Sequence, residues 1–181
     1  MHSRVEKIYE NLEEKIDLIY IENGSCPDIN FLYLTEAESG IFEGCVALAY
    51  PDSVEIVVSL LEEESAKKTG KKMYVFKKRE ERKEILKKML NVDKIGINAK
   101  NFSYEAYRKL KEITKAEIVD VSGALSKARL VKEKDEIEKI RDDFVLFNEK
   151  NMENYFVGYG SFSFKTYMDL RRNVDDFTKM Y

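Results

Sequence analysis

Residues 44–58 read Gly-Cys-Val-Ala-Leu-Ala-Tyr-Pro-Asp-Ser-Val-Glu-Ile-Val-Val. The apolar run to Tyr50 is short, a Pro-Asp-Ser turn interrupts it, and β-branched residues follow. This pattern predicts a strand over 44–50, a turn at 51–53 and a second strand over 54–58. Upstream, Val5, Ile8, Leu12 and Ile16 recur at helical spacing and predict a helix over 4–15. A strand over 17–22, a turn cluster over 23–28 and a short strand over 31–34 follow. Downstream, 60–72 predicts a helix with its acids early and its lysines late, the order the helix dipole favours, and Gly70 as its stop. Strands are then expected over 73–76, 94–98 and 117–121. Helices are expected over 80–90 and from a Ser103 cap through Glu112. Short strands alternating with helices of about ten residues imply an α/β fold: a central mixed β-sheet of about five to six strands flanked by helices.

The character of the chain changes after Val121. A longer helix is expected over 134–155, with Ile137, Ile140, Phe144 and Phe147 as its apolar stripe. An aromatic, glycine-rich run over 157–164 and a helix over 165–177 would complete a C-terminal helical extension. The domain boundary is expected between Ser122 and Lys132, giving a domain over 1–128 and a junction helix with a short helical tail over 129–181.

The chain has 181 residues, 44% apolar and 36% charged, enough for one domain and part of another under a densely charged surface. Charge resides mainly in Lys and Glu, and glutamine is absent, a bias seen in thermophile proteins. Thirty-one basic residues against 34 acidic ones give a net charge of −3, with no bulk attraction to nucleic acid or anionic lipid. The single histidine is His2, which excludes nucleophile systems that use histidine as base and most zinc sites. Cys45 in its apolar strand and Cys26 in a turn before Pro27 read as reduced thiols; a bridge between them is the alternative if the source is a hyperthermophile. No apolar run has the length of a membrane helix, and the opening MHSRVEKIYE lacks a signal core, so a cytoplasmic location and no membrane partner are expected.

Three other motifs read as ordinary surface. Residues 67–88 hold eleven basic residues against three acids, but they spread over two helices and a strand. A nucleic-acid stripe needs them on one face, so a solvated face is the expectation. Gly158 and Gly160 lack the third glycine and the strand-turn-helix setting of a phosphate cradle. Asp142-Asp143 and Asp175-Asp176 are adjacent helical positions, pointing about 100° apart, which disfavours shared metal ligation.

The stretch Ala124–Arg141, ALSKARLVKEKDEIEKIR, resembles the junction segment of the creatinase and Xaa-Pro peptidase family (prolidase, aminopeptidase P). Leu125, Arg129, Lys132, Glu136, Ile137 and Ile140 fit its pattern L-x-x-x-R-x-x-K-x-x-x-E-I-x-x-I. Asn30-Phe-Leu-Tyr-Leu-Thr35 looks like the N-x-x-Y-L-T-G element of that family. Before it, 17–21 looks like the family's first strand, and after it 55–58 with 63–66, then 94–97, fall in the family's order. Two positions depart: Glu36 stands in place of the usual glycine, and Asn98 where an acid is common.

The resemblance spans 4–141 and implies a creatinase N-terminal-domain-like fold. In the family, a pita-bread domain holds two metal ions with two Asp, one His and two Glu, and a metal-bridged water attacks the scissile bond. This chain has no G-H-G, H-E-x-P or Glu-Pro-Gly stretch, and the 40 residues after Arg141 are too few for such a domain. The resemblance therefore implies no catalytic, cofactor-binding or metal residue here and no cofactor. It implies a non-catalytic domain that supports dimerisation and shapes a substrate cleft. A homo-oligomer through the C-terminal helices is expected, with a separate catalytic peptidase subunit as a further partner. A small-molecule-binding α/β module, with its ligand near Asn23–Asp28 or Asn98–Ser103, is the alternative. Nucleic-acid binding through Lys67–Lys88 is a third reading.

Overall fold

The computed structural model describes residues 3–24, 27–37, 39–132, 136–138 and 141. His2, Cys26, Ile140, Phe144, Phe147, both Asp pairs, Gly158, Gly160 and the aromatic run lie outside them. The chain divides into two units, Met1–Val131 and Lys132–Tyr181. Within the second, Ile137 is exposed.

The first unit is a mixed six-stranded sheet covered by helices on both faces. In chain order it comprises α1 (Arg4–Tyr9), β1 (Leu18–Asn23), α2 (Ile29–Thr35), β2 (Cys45–Tyr50), β3 (Ser53–Ser59) and α3 (Glu63–Lys67). There follow β4 (Lys72–Phe76), α4 (Arg79–Met89), β5 (Lys94–Ile97), α5 (Tyr104–Ile113), β6 (Glu117–Asp120) and α6 (Ser122–Leu130). The strand order is β4-β3-β2-β1-β5-β6. β2 runs antiparallel to both neighbours, and the other pairs are parallel.

Side-chain alternation assigns the two cores. Ile19, Ile21, Cys45, Ala47, Ala49, Ile56 and Val58 face one side, with Val5, Ile8, Phe31, Leu34 and Leu125 from α1, α2 and α6. Leu18, Tyr20, Val46, Leu48, Val57, Ile95 and Ile97 face the other, beneath Leu86 of α4 and Leu110 of α5. Burial on both faces is why β1 and β2 read as continuous apolar runs.

Three elements differ from the sequence reading. Residues 31–34 are not a strand but the middle of α2. The Asp28 side chain accepts from the Asn30 amide as N-cap, and a helical stripe of Asn30, Phe31, Leu34 and Thr35 is buried. Packing thus overrides the strand preference of Phe-Leu-Tyr-Leu. α1 stops at Tyr9, where Asn11 Nδ2 donates to the Lys7 carbonyl at 2.7 Å, yet Ile16 still reaches the core. The 60–72 helix is a single 3-10 turn at 60–62 followed by α3. Thr69 Oγ1 donates to the Ala66 carbonyl at 2.7 Å and closes it before Gly70, whose φ is 66°. The Ser103 cap is present, its Oγ accepting from the Ala106 amide at 3.1 Å.

Candidate functional site

The two loops offered by the sequence as ligand sites come together. β1 and β5 are parallel neighbours, so 23–28 and 98–103 leave the sheet at the same end, where open α/β sheets bind ligands. Asn98 Nδ2 donates to Asp28 Oδ2 at 2.8 Å. Asp28 Oδ1 accepts from the Asn30 amide at 2.9 Å and from Asn30 Nδ2 at 2.7 Å. Asn23 Oδ1 accepts from the Asp28 amide at 2.9 Å, while its Nδ2 donates to the carbonyls of Ile41 and Phe42 at 3.0 and 3.2 Å. All four polar side chains are buried. A buried carboxylate is tolerable only when hydrogen-bonded, and three donors meet that need here. The network joins the end of β1, the start of α2, the 41–42 backbone and the end of β5. Its members bind mainly one another, the behaviour of a structural pin. Asn30 Oδ1 has no hydrogen-bond partner among the described residues.

The segment held by Asn23 is the conformationally unusual part of the unit. Gly40, Phe42 and Gly44 have φ of 109°, 54° and 73°. A Cβ at Gly40 would lie 2.6 Å from the Phe42 ring and 2.7 Å from the Glu62 carboxylate, so only glycine fits there. Glu62 Oε1 accepts from the amides of Ile41 and Phe42 at 3.2 and 3.0 Å. The Phe42 ring is fully buried against Phe31, with centroids 5.4 Å apart. Fixed at both ends, the loop leaves Ile41 77% exposed, and the turn that carries Glu62 exposes Leu60 and, at 95%, Leu61. Sequence reasoning passed over Gly40 and Phe42 and read Glu62 only as an early acid of the 60–72 helix; the paired glycines of Gly-Ile-Phe-Glu-Gly were the available signal of a tight turn.

On the opposite face Arg82 reaches across from α4. Its Nη2 lies 2.6 Å from Glu22 Oε1, and its Nε donates to the Gly44 carbonyl at 3.1 Å. Tyr20 donates its hydroxyl to Glu22 at 3.2 Å; burial, reinforced by the Glu22 charge, pushes this phenol well above its usual range and keeps it a donor.

The basic stretch is divided among α3, β4 and α4, and five of its eleven cations are paired: Lys67 with Glu63 and Glu64, Lys71 with Glu36, Lys72 with Glu55, Arg82 with Glu22, and Lys87 with Glu84. Among the described residues, no group of three or more His, Cys, Asp or Glu could hold a metal ion. No helix among them is long and apolar enough to cross a membrane.

Comparison with known proteins reaches the same fold. The prolidase from Pyrococcus horikoshii OT3 is 25% identical with a TM-score of 0.61, over 80% of this chain and 42% of that one. The X-Pro aminopeptidase from Thermotoga maritima MSB8 is 18% identical with a TM-score of 0.66, over 74% of this chain and 38% of that one. The N-terminal domain of the cytoplasmic peptidase PepQ from Mycobacterium tuberculosis H37Rv is 15% identical with a TM-score of 0.55, over 70% of this chain and 98% of that domain. The chain thus spans about two fifths of the length of the full peptidases it matches. No curated protein gives a significant match. The family model described as Creatinase/Prolidase N-terminal domain matches residues 4–131, and the chain belongs to that family.

Proposed function

We propose that residues 4–131 act as the non-catalytic N-terminal domain of an Xaa-Pro peptidase system, supporting assembly and walling the substrate cleft of a neighbouring catalytic domain. The observation that carries this reading is the extent of the match. Alignment covers nearly all of an isolated N-terminal domain and under half of each full-length peptidase. The exposed Ile41, Leu60 and Leu61, carried by a loop and a turn that Glu62 ties together, support it, because exposed apolar side chains of this size are common at interfaces. The chain works in the cytoplasm as a homo-oligomer assembled through residues beyond 131, with a catalytic peptidase subunit as the other partner. It binds no metal or cofactor of its own.

The test is hydrolysis of Xaa-Pro dipeptides and of a longer Xaa-Pro peptide by the purified chain, first metal-stripped and then with manganese, cobalt or zinc. No turnover is expected under any condition. Metal-dependent turnover that survives repurification would overturn the non-catalytic reading. Sedimentation should give a dimer, and a monomer throughout the concentration series would refute the self-association.

A further inference from the structure

The parallel edge of the sheet ends in an aromatic depression of about 380 Å³, within the size range of small-ligand sites. Ile97, Ala99 and Ile118 supply its apolar lining, and Phe102, Tyr104 and Tyr107 its aromatic one. Phe102 is fixed edge-on to Tyr20, with centroids 5.9 Å apart. Tyr104 and Tyr107 stand three residues apart on one face of α5 and are 77% and 39% exposed.

Asp120, the last residue of β6, completes the lining. Its Oδ1 accepts from the Ser122 amide at 2.9 Å, the Ala99 amide at 3.3 Å and the Ser122 hydroxyl. Burial opposes ionisation, but these hydrogen bonds outweigh it and hold the carboxyl below its usual range. Oδ2 receives no hydrogen bond among the described residues. Lys100 is the neighbouring cation, and it forms no ion pair with Asp120.

An ordered carboxylate beside exposed aromatic rings and an apolar floor is chemistry that recognises a positive charge on an apolar body. Ring faces attract the cation, the carboxylate neutralises it, and the floor takes its carbon skeleton. We propose that this depression binds an organic cation, an ammonium or a guanidinium, supplied by a small free amine or by an arginine side chain of a peptide. The inference does not depend on the accessory-domain reading.

The test is an amide NMR titration of the full chain with benzylammonium, with N-acetylarginine amide and with neutral benzyl alcohol. Saturable shifts at Ala99, Lys100, Phe102 and Tyr104 are expected with one or both cations and not with the alcohol. Saturation by benzylammonium would point to free amines, and by the acetylated arginine to a peptide side chain. Binding should weaken at an ionic strength of about 0.5 M. Asp120→Asn and Tyr104→Ala should each weaken it roughly three- to fivefold, the range for an exposed ion pair or cation–π contact. Tyr104 is exposed, so its removal leaves the fold intact and separates lost recognition from lost structure. Equal binding of the alcohol, shifts centred elsewhere, or unchanged affinity in both variants would overturn the proposal.

Discussion

Glu36 ends α2 in the left-handed conformation, φ 58° and ψ 29°, with its amide donating to the Leu32 carbonyl at 2.9 Å. This is the C-terminal position that glycine favours, and a side chain there costs roughly 1–2 kcal/mol. Part of that cost is offset by Lys71, whose Nζ lies 3.1 Å from Glu36 Oε1. With the two side chains 49% and 26% exposed, the pair contributes about 0.3–0.5 kcal/mol. Glu36→Gly relieves the backbone and loses the pair, and the greater freedom of glycine in the unfolded chain returns roughly 0.5–1 kcal/mol. Glu36→Ala loses the same pair and keeps the strain. The comparison of the two variants therefore isolates the backbone, and glycine should be the more stable by about 1 kcal/mol. Urea unfolding of the full chain checks this. With a slope near 2 kcal/mol per molar, the midpoints should differ by about 0.5 M, with the wild type between them. In an ordinary helix interior the order reverses, alanine being favoured by about 1 kcal/mol. Alanine equal to or above glycine would refute the left-handed assignment at Glu36.

Four further outcomes follow from the same geometry. Asn98→Asp sets a second carboxyl 2.8 Å from Asp28 Oδ2 in a buried site. It should destabilise by about 3–5 kcal/mol near neutral pH, and because the new acid is raised and binds its proton in the folded state, urea midpoints should recover as pH falls. Arg82→Met removes the donor to Glu22 and to the Gly44 carbonyl and should cost roughly 2 kcal/mol in denaturant unfolding. Burial raises the Cys45 thiol above its ordinary value against a backbone hydrogen bond from Ser59. In a Cys26→Ser background, thiol labelling should therefore proceed only as fast as the protein opens. Asp120, held below the usual carboxylate range, binds its proton less readily folded than unfolded. Its contribution is complete above that range and is lost as pH falls through the folded value, so Asp120→Asn should flatten the acid limb of a stability profile.

How far the sequence could be read depended on the range of the interactions involved. The 45–50 and 53–59 strands were legible because they are apolar or β-branched and the turn between them is punctuated by Pro51 and Asp52. The start of α5 was legible because a serine cap acts within three residues. The two candidate loops were found as punctuation, but their meeting was not, since Asn98 and Asp28 lie 70 residues apart and only the β1–β5 pairing brings them together. The aromatic depression was invisible for a similar reason, its residues coming from β5, the connection after it, α5 and β6.

Composition and local pattern by themselves determined the class, an alternating α/β chain with a mixed sheet and a single histidine, and the 124–141 stretch added a resemblance to a known family. Tertiary structure decided what local preference left balanced. Residues 31–34 carry strand-forming side chains, yet they are helical because that conformation buries Phe31 and Leu34 on one stripe against the sheet while Asp28 caps the first turn. Glu36 and Phe42 have positive φ, which their residue types disfavour, because a helix end and a buried ring over-determine them. Gly96 is required because Val121 would lie 2.9 Å from any Cβ there, a proximity created only when β5, β6 and the start of α6 pack. Local rules act over a few bonds, whereas these choices were made by atoms far apart in the chain that the sheet order brings into contact.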